Sequence, residues 1–417
     1  MMRLLPLLVP CCAAAAATPA AAASAVADCG ADPAGALPAA VAALRKARGG
    51  SVAAQATLTV RGLCRLAAPL QLGAADSNVE WVGDGGAATI SGGISVPGSA
   101  WSAHAKAQCA GCGTVWVASL GTGAVDSRQF YVDGVRANRT VMSFPQHGAT
   151  KHARGFDTAL AGRFTHNGGA KIELIHRGTY TCNYSSWQQW AETRVPVAAT
   201  TASTFAMVEP AYSHSNNNGN LLPCFLENAY ELLGDATHGH TGDFYLDITT
   251  AAASKIYFVG PSAPQQAVLP QSQGLVNATH TSDWSVRGLA MQEATWLLDD
   301  SGFMQAQSGT YVHGPACGTF NTSAASGRNN TACPYSSQTY MGTPNTMGCG
   351  QWDILPAAVH VHGGARVRFS NCTFQRLGAT AVTFDRGSQN CSIAASLIRD
   401  VSGNGIQIGA CMRPISN

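Results

Sequence analysis

Between Ala357 and Gly409, short runs of alternating apolar and polar residues are broken by small residues and turn formers. Val367, Phe369, Phe374, Leu377, Val382 and Phe384 align with Cys391, Ile393, Ile398, Val401, Ile406 and Ile408, each 24 residues further on. Strand side chains alternate with a period of two, so a repeat of this length predicts three short strands joined by bends. Their apolar sides are buried only when successive units stack, which describes the coil of a parallel β-helix. Val286, Leu289 and Met291 match Phe369, Cys372 and Phe374 and place an earlier coil. The runs 78–83 and 88–93 read as two further strands with glycine turns. Ahead of them, Leu37 to Arg48 has the spacing of a short amphipathic helix, placed to cover the open end of the first coil.

The spacing changes between residues 125 and 280. Phe130 to Val135, with Asp133-Gly134 at its turn, reads as a hairpin, as do Phe244 to Asp247 and Lys255 to Val259 around small residues. One short helix is expected at Leu226 to Leu233. The resulting division is a leader over 1–27, a cap and first coils over 28–124, an inserted β-rich domain over 125–280 and further coils over 281–417. The last unit carries a long loop at 300–353 containing Cys317, Cys333 and Cys349, and a loop of that length is usually functional or disulfide-pinned. The predicted class is all-β, with one capping helix.

The first residues change where this chain is expected to reside. Arg3, the apolar stretch Leu4 to Ala17 and the small residues up to Ala27 follow the order of a secretory signal. Pro6, Pro10 and Pro19 interrupt any spanning helix, and no later segment is apolar for long enough to cross a bilayer, so a soluble, secreted protein is expected. Of 14 cysteines, Cys11 and Cys12 fall in the leader and leave an even number, which suits an oxidising compartment without revealing pairings. Glycosylation triplets begin at Asn138, Asn183, Asn277, Asn321, Asn329, Asn371 and Asn390. Charged residues make up 12% of the chain with a net charge of +2, too few and too balanced for a nucleic-acid surface.

Several stretches carry a family likeness: Asp28 to Gly93, RQFYVDGVRANR at 128–139, Leu226 to Asp247, AAVHVHGGARVRFSNCTFQRLG at 357–378, and VSGNGIQIG at 401–409. In these segments and their order the chain resembles the right-handed parallel β-helix repeat proteins related to the α-L-fucosidase and xylanase type of glycoside hydrolase. The resemblance implies right-handed coils of the pectin-lyase kind, a polysaccharide or glycan as partner of a monomeric chain, and no cofactor. Relatives continue through further coils, where their suspected catalytic acids lie, so those acids have no counterpart before Asn417 and the last coil is expected to lack a cap. The Asn-Thr-Asp, Gly-His-Gly and Arg-Ile-Lys motifs of polygalacturonases are absent.

The candidate chemistry comes from the coils. If Val359 and Val361 point inward, alternation sends His360, Thr383 and Gln407 outward in one column and His362, Asp385 and Gly409 in the next. His362 and Asp385 then lie one coil apart, as a base and its orienting carboxylate would. Asp385, His362 and Asp400 are the catalytic candidates, Asp400 having the alternative of holding a turn with Asn404. His360 and His362 share a face as metal ligands would, but no third ligand at a usual spacing follows, so no metal site is expected. Trp284, Trp296 and Trp352 suit sugar stacking or core packing. Three functions fit: a glycosidase with paired carboxylates, a non-catalytic carbohydrate-binding protein, or a lyase using one of Arg366, Arg368, Arg376 and Arg386 as base.

Overall fold

The computed structural model describes residues 22–409 apart from 106–108, 122–125, 167–171, 178–191, 210, 213–221, 249–253 and 299–354; it gives backbone alone at 176–177 and in the strands Phe303–Ala306, Gly309–His313, Thr339–Tyr340, Thr343–Pro344 and Trp352–Ile354. The expected leader up to residue 21, Cys317, Cys333 and Cys349, the glycosylation triplets at Asn183, Asn321 and Asn329, and the side chain of Trp352 lie outside the described residues.

The protein is mostly β, with one α-helix among the described residues. Two of its sheets are wholly parallel. In one, Leu70–Leu72, Val276–Thr279, Ala357–His362, Thr380–Asp385 and Ile406–Ile408 follow one another. In the other, Ser24–Asp28, Ala56–Arg65 and Val79–Ser91 lead to Ser285–Arg287 and Ala290–Ala294, and then to Arg368–Ser370 with Ser392–Ala394 and Thr373–Leu377 with Leu397–Val401. The pairs Phe369↔Ile393, Phe374↔Ile398 and Val382↔Ile406 reproduce the sequence offset in space.

Inward positions form one apolar column. Trp81 packs edge-on to Trp284 at 5.5 Å, and Trp284 to Phe369 at 5.4 Å. Burying each such side chain is worth roughly 1.5–3 kcal/mol, which is the main force holding the passes together. Corners repeat as well: Asp283, Arg366 and Asn390 share left-handed backbone, as do Glu293, Arg376 and Asp400. The helix Ala36–Arg48 buries Leu37, Ala40, Val41 and Leu44 against the first strands, as its spacing predicts. At the other end, Leu397, Ile406 and Ile408 are exposed.

The strand Ser24–Asp28 includes the end of the expected leader, yet it pairs residue by residue with 57–61 and buries Ala27. A Cys29–Cys64 disulfide ties its end to the next strand. Cys109 and Cys112 form a second disulfide, while Cys372 and Cys391 are free thiols, so the even cysteine count does not mean complete pairing.

The chain leaves and re-enters the parallel stack at Gly92, whose carbonyl accepts from the backbone N–H of Gln271 and Ser272. Gly93–Pro97 already pairs antiparallel with Gln266–Pro270, and Thr114–Ser119 with Lys255–Gly260. The antiparallel region therefore opens at Gly93, whereas the change in sequence spacing puts it near 125. Both expected hairpins are present. The expected helix at Leu226 to Leu233 is instead a strand, Phe225–Glu227, followed by one 3-10 turn, Tyr230–Leu232, because Leu226 pairs with Met142 and Leu174 across an antiparallel sheet.

Candidate functional site

The strand Ala357–His362 places Val359 and Val361 in the core and turns His360 and His362 to the opposite face. The next pass pairs His360 with Thr383 and His362 with Asp385. Asp385 thus sits against both rings: His362 Nδ1 lies 3.0 Å from Oδ1, and His360 Nε2 lies 3.1 Å from Oδ2. The two histidines are about a quarter exposed, while the Asp385 side chain is only 4% exposed. Alternation predicts an outward Asp385 and Thr383. Both do face away from the apolar column, but they are covered, so outward in this fold does not mean solvated.

Despite these short distances, neither contact is aligned as a hydrogen bond: His360 Nε2 and Asp385 Oδ1 both lack a hydrogen-bond partner, as does the buried Thr383 Oγ1 beside them. Burial pushes the Asp385 carboxyl up, but His360, then the charges of His362 and Arg386, pull it below its ordinary value. His280 closes one side, its ring 6.1 Å from that of His362. Gly363, at φ +61°, leaves room for it: a Cβ there would lie 2.7 Å from His280 Nδ1. The site thus offers two imidazoles and one carboxylate, able to pass a proton or to ligate.

Asp400 is elsewhere. It lies in Leu397–Val401 of the other parallel sheet, in left-handed backbone, and its Oδ1 accepts from Arg136 Nε at 2.7 Å. Arg136 also donates to the Asp400 and Leu377 carbonyls and to Ser402, so Asp400 anchors a corner to the antiparallel region. The alternative partner, Asn404, donates to Gln407 instead. Among the lyase-type arginines, Arg366 is bidentate to Asp283 and Arg376 pairs with Glu293. Trp284 and Trp296 are buried rather than available for stacking on sugar.

One buried polar centre has no counterpart in the sequence reading. Glu173 accepts from Arg128 at 3.0 and 2.7 Å, meets Arg139 at 2.8 Å and has Arg194 at 3.9 Å. Burial would raise its carboxyl, but the three guanidiniums hold it down at about 2. Arg128 and Arg139 are the two ends of the RQFYVDGVRANR motif, and together with Glu173 and Asn228 they line a cavity of about 40 Å³. That spacing was the available signal; nothing in it names Glu173.

Two parallel sheets, left by antiparallel strands after Gly92 and again after Ala294, make up a fold that a structural likeness supports as glycoside hydrolase-like. The chain is similar to a solved structure named as a glycoside hydrolase, with a TM-score of 0.60 and 17% identity. The likeness covers 89% of this chain and 63% of that one, so the chain spans less than two thirds of the structure that it matches. No family model and no curated protein matches the chain.

Proposed function

We propose that this is a secreted, carbohydrate-active protein of the glycoside hydrolase kind, directed at cell-wall or extracellular polysaccharide. The observation that carries the reading is the likeness of 89% of the chain to a structure named as a glycoside hydrolase. In this reading the parallel sheets are a right-handed β-helix of the pectin-lyase architecture and of α-L-fucosidase and xylanase type, with the antiparallel strands inserted as a domain. Export is supported by the Cys29–Cys64 disulfide and by exposed acceptors at Asn138, Asn371 and Asn390. The leader is then cut ahead of Ser24, which spares the strand Ser24–Asp28.

In the hydrolase, His362, with Asp385 3.0 Å from its Nδ1, takes or returns a proton at the sugar. A second reading, non-catalytic glycan binding, is favoured by Asp400: glycoside hydrolysis ordinarily uses two carboxyl groups flanking one bond, and Asp400 is bound by Arg136 on the other sheet. Incubating the secreted protein with a panel of polysaccharides separates the two. Release of reducing ends that His362→Ala abolishes establishes the hydrolase; retention of a glycan without release establishes binding alone.

A further inference from the structure

We propose that His360, His362 and Asp385 form a binding site for one divalent transition-metal ion of the zinc class. This inference concerns the ligands alone and stands whether or not the chain acts on carbohydrate.

The donor atoms of the three residues all lie within 4.8 Å of one another. Around a tetrahedral ion with bonds of about 2.1 Å, ligand atoms are about 3.4 Å apart, so modest ring rotations close the set. The scaffold resists larger changes, because all three residues sit on two strands in fixed parallel register, backed by Val359, Val361, Val382 and Phe384 in the core. Two ligands come from a His-x-His on one strand and the third from the next pass, 23 residues after His362. No local ligand spacing reveals such a set.

The state of the donors points to a cation rather than to a closed hydrogen-bond network. A buried carboxylate oxygen without a hydrogen bond costs free energy, and Asp385 Oδ1 is such an atom, in a side chain that is 4% exposed. His360 Nε2 is equally unpartnered, although it lies 3.1 Å from Oδ2. Short contacts without N–H···O alignment leave these nitrogen and oxygen atoms available to a cation. Two imidazoles with one carboxylate suit zinc and its neighbours better than magnesium or calcium, which take mainly oxygen. With three protein ligands and both histidines partly exposed, a fourth position is left toward solvent for water.

The test uses the whole secreted chain without a histidine tag, stripped with a chelator and titrated with zinc by calorimetry, then with cobalt(II) to read the visible bands of tetrahedral coordination. One ion per chain is expected, with affinity lowered at least 10-fold in His362→Ala and in Asp385→Asn, and unchanged in the exposed control His240→Ala. His360→Gln, on a partly exposed side chain, serves if the buried Asp385 change disturbs folding. Absence of stoichiometric binding by the folded wild type overturns the proposal. So does binding that survives unchanged in His360→Gln and His362→Ala; the trio is then an imidazole–carboxylate cluster only.

Discussion

Glu173 and Asp385 are two carboxylates with equally buried side chains, each crowded by basic groups, and they are held differently. Glu173 lies in the antiparallel region and meets three guanidiniums, of which Arg128 hydrogen-bonds it along its planar fork. Asp385 lies on the parallel stack and meets two imidazoles whose contacts are not aligned as hydrogen bonds. An aligned, bidentate guanidinium makes a fixed joint between segments. Unaligned partners leave a site that can take another occupant, such as the proposed metal ion.

The largest expected effect follows from removing the fixed carboxylate. Glu173→Ala leaves Arg128 without its carboxylate in a covered site, while Arg139 and Arg194 keep Glu227, and breaking a buried ion pair from one side costs roughly 3–5 kcal/mol. Asp385→Ala costs less, about 1–2 kcal/mol, because its contacts with His360 and His362 are not aligned hydrogen bonds. Urea denaturation of the two variants against wild type checks this order; equal losses would mean that Asp385 is as firmly bound as Glu173.

Acid should weaken both sites in the same direction. The folded Glu173 carboxyl is at about 2 against 4.5 when unperturbed. A carboxyl lowered on folding contributes its stability above the unfolded value and loses it as pH falls through the folded one. Glu173 therefore supports the fold in full above about pH 4.5 and progressively less down to about pH 2, a change of about 3 kcal/mol at 1.36 kcal/mol per pH unit. Asp385 is also lowered, so it adds loss of the same sign on acidification. Stability curves of wild type and Glu173→Gln should converge as pH falls, and parallel curves would show that Glu173 is not the group responsible.

The two sites also differ in how far they can be read from the chain. His362 opposite Asp385 follows from strand alternation and the coil offset, since a period of two and a repeat near 24 place both residues in one column. The same reasoning misjudges their cover, because alternation tells which face a side chain takes but not what lies over that face. It also passes over Asp385 as third ligand to His360, since the two meet across strands. Glu173 was out of reach: its partners come from a bend at Arg128 and from the separate strands Asn138–Arg139 and Glu192–Thr200, whose meeting depends on tertiary packing rather than on a repeat. The helix expected at Leu226 fails for the same reason, its local spacing being overridden by pairing with Met142 and Leu174.

The smallest effect concerns Asp400, which shares features of both sites. Its partner is a permanent charge, as for Glu173, but the pair is about a third exposed, so water screens it. Asp400→Asn should therefore cost only about 0.2–1 kcal/mol and leave any release of reducing ends, and any metal binding, as in the wild type. Its loss would loosen the contact between Arg136 and the corner at Ser402, seen as faster amide exchange at Leu377 and Ser402 without a change in global unfolding. If the variant instead keeps wild-type stability and loses polysaccharide cleavage, Asp400 carries chemistry after all. The division between a fixing carboxylate and a reactive one would then have to be drawn by which group reaches the substrate, not by the charge beside it.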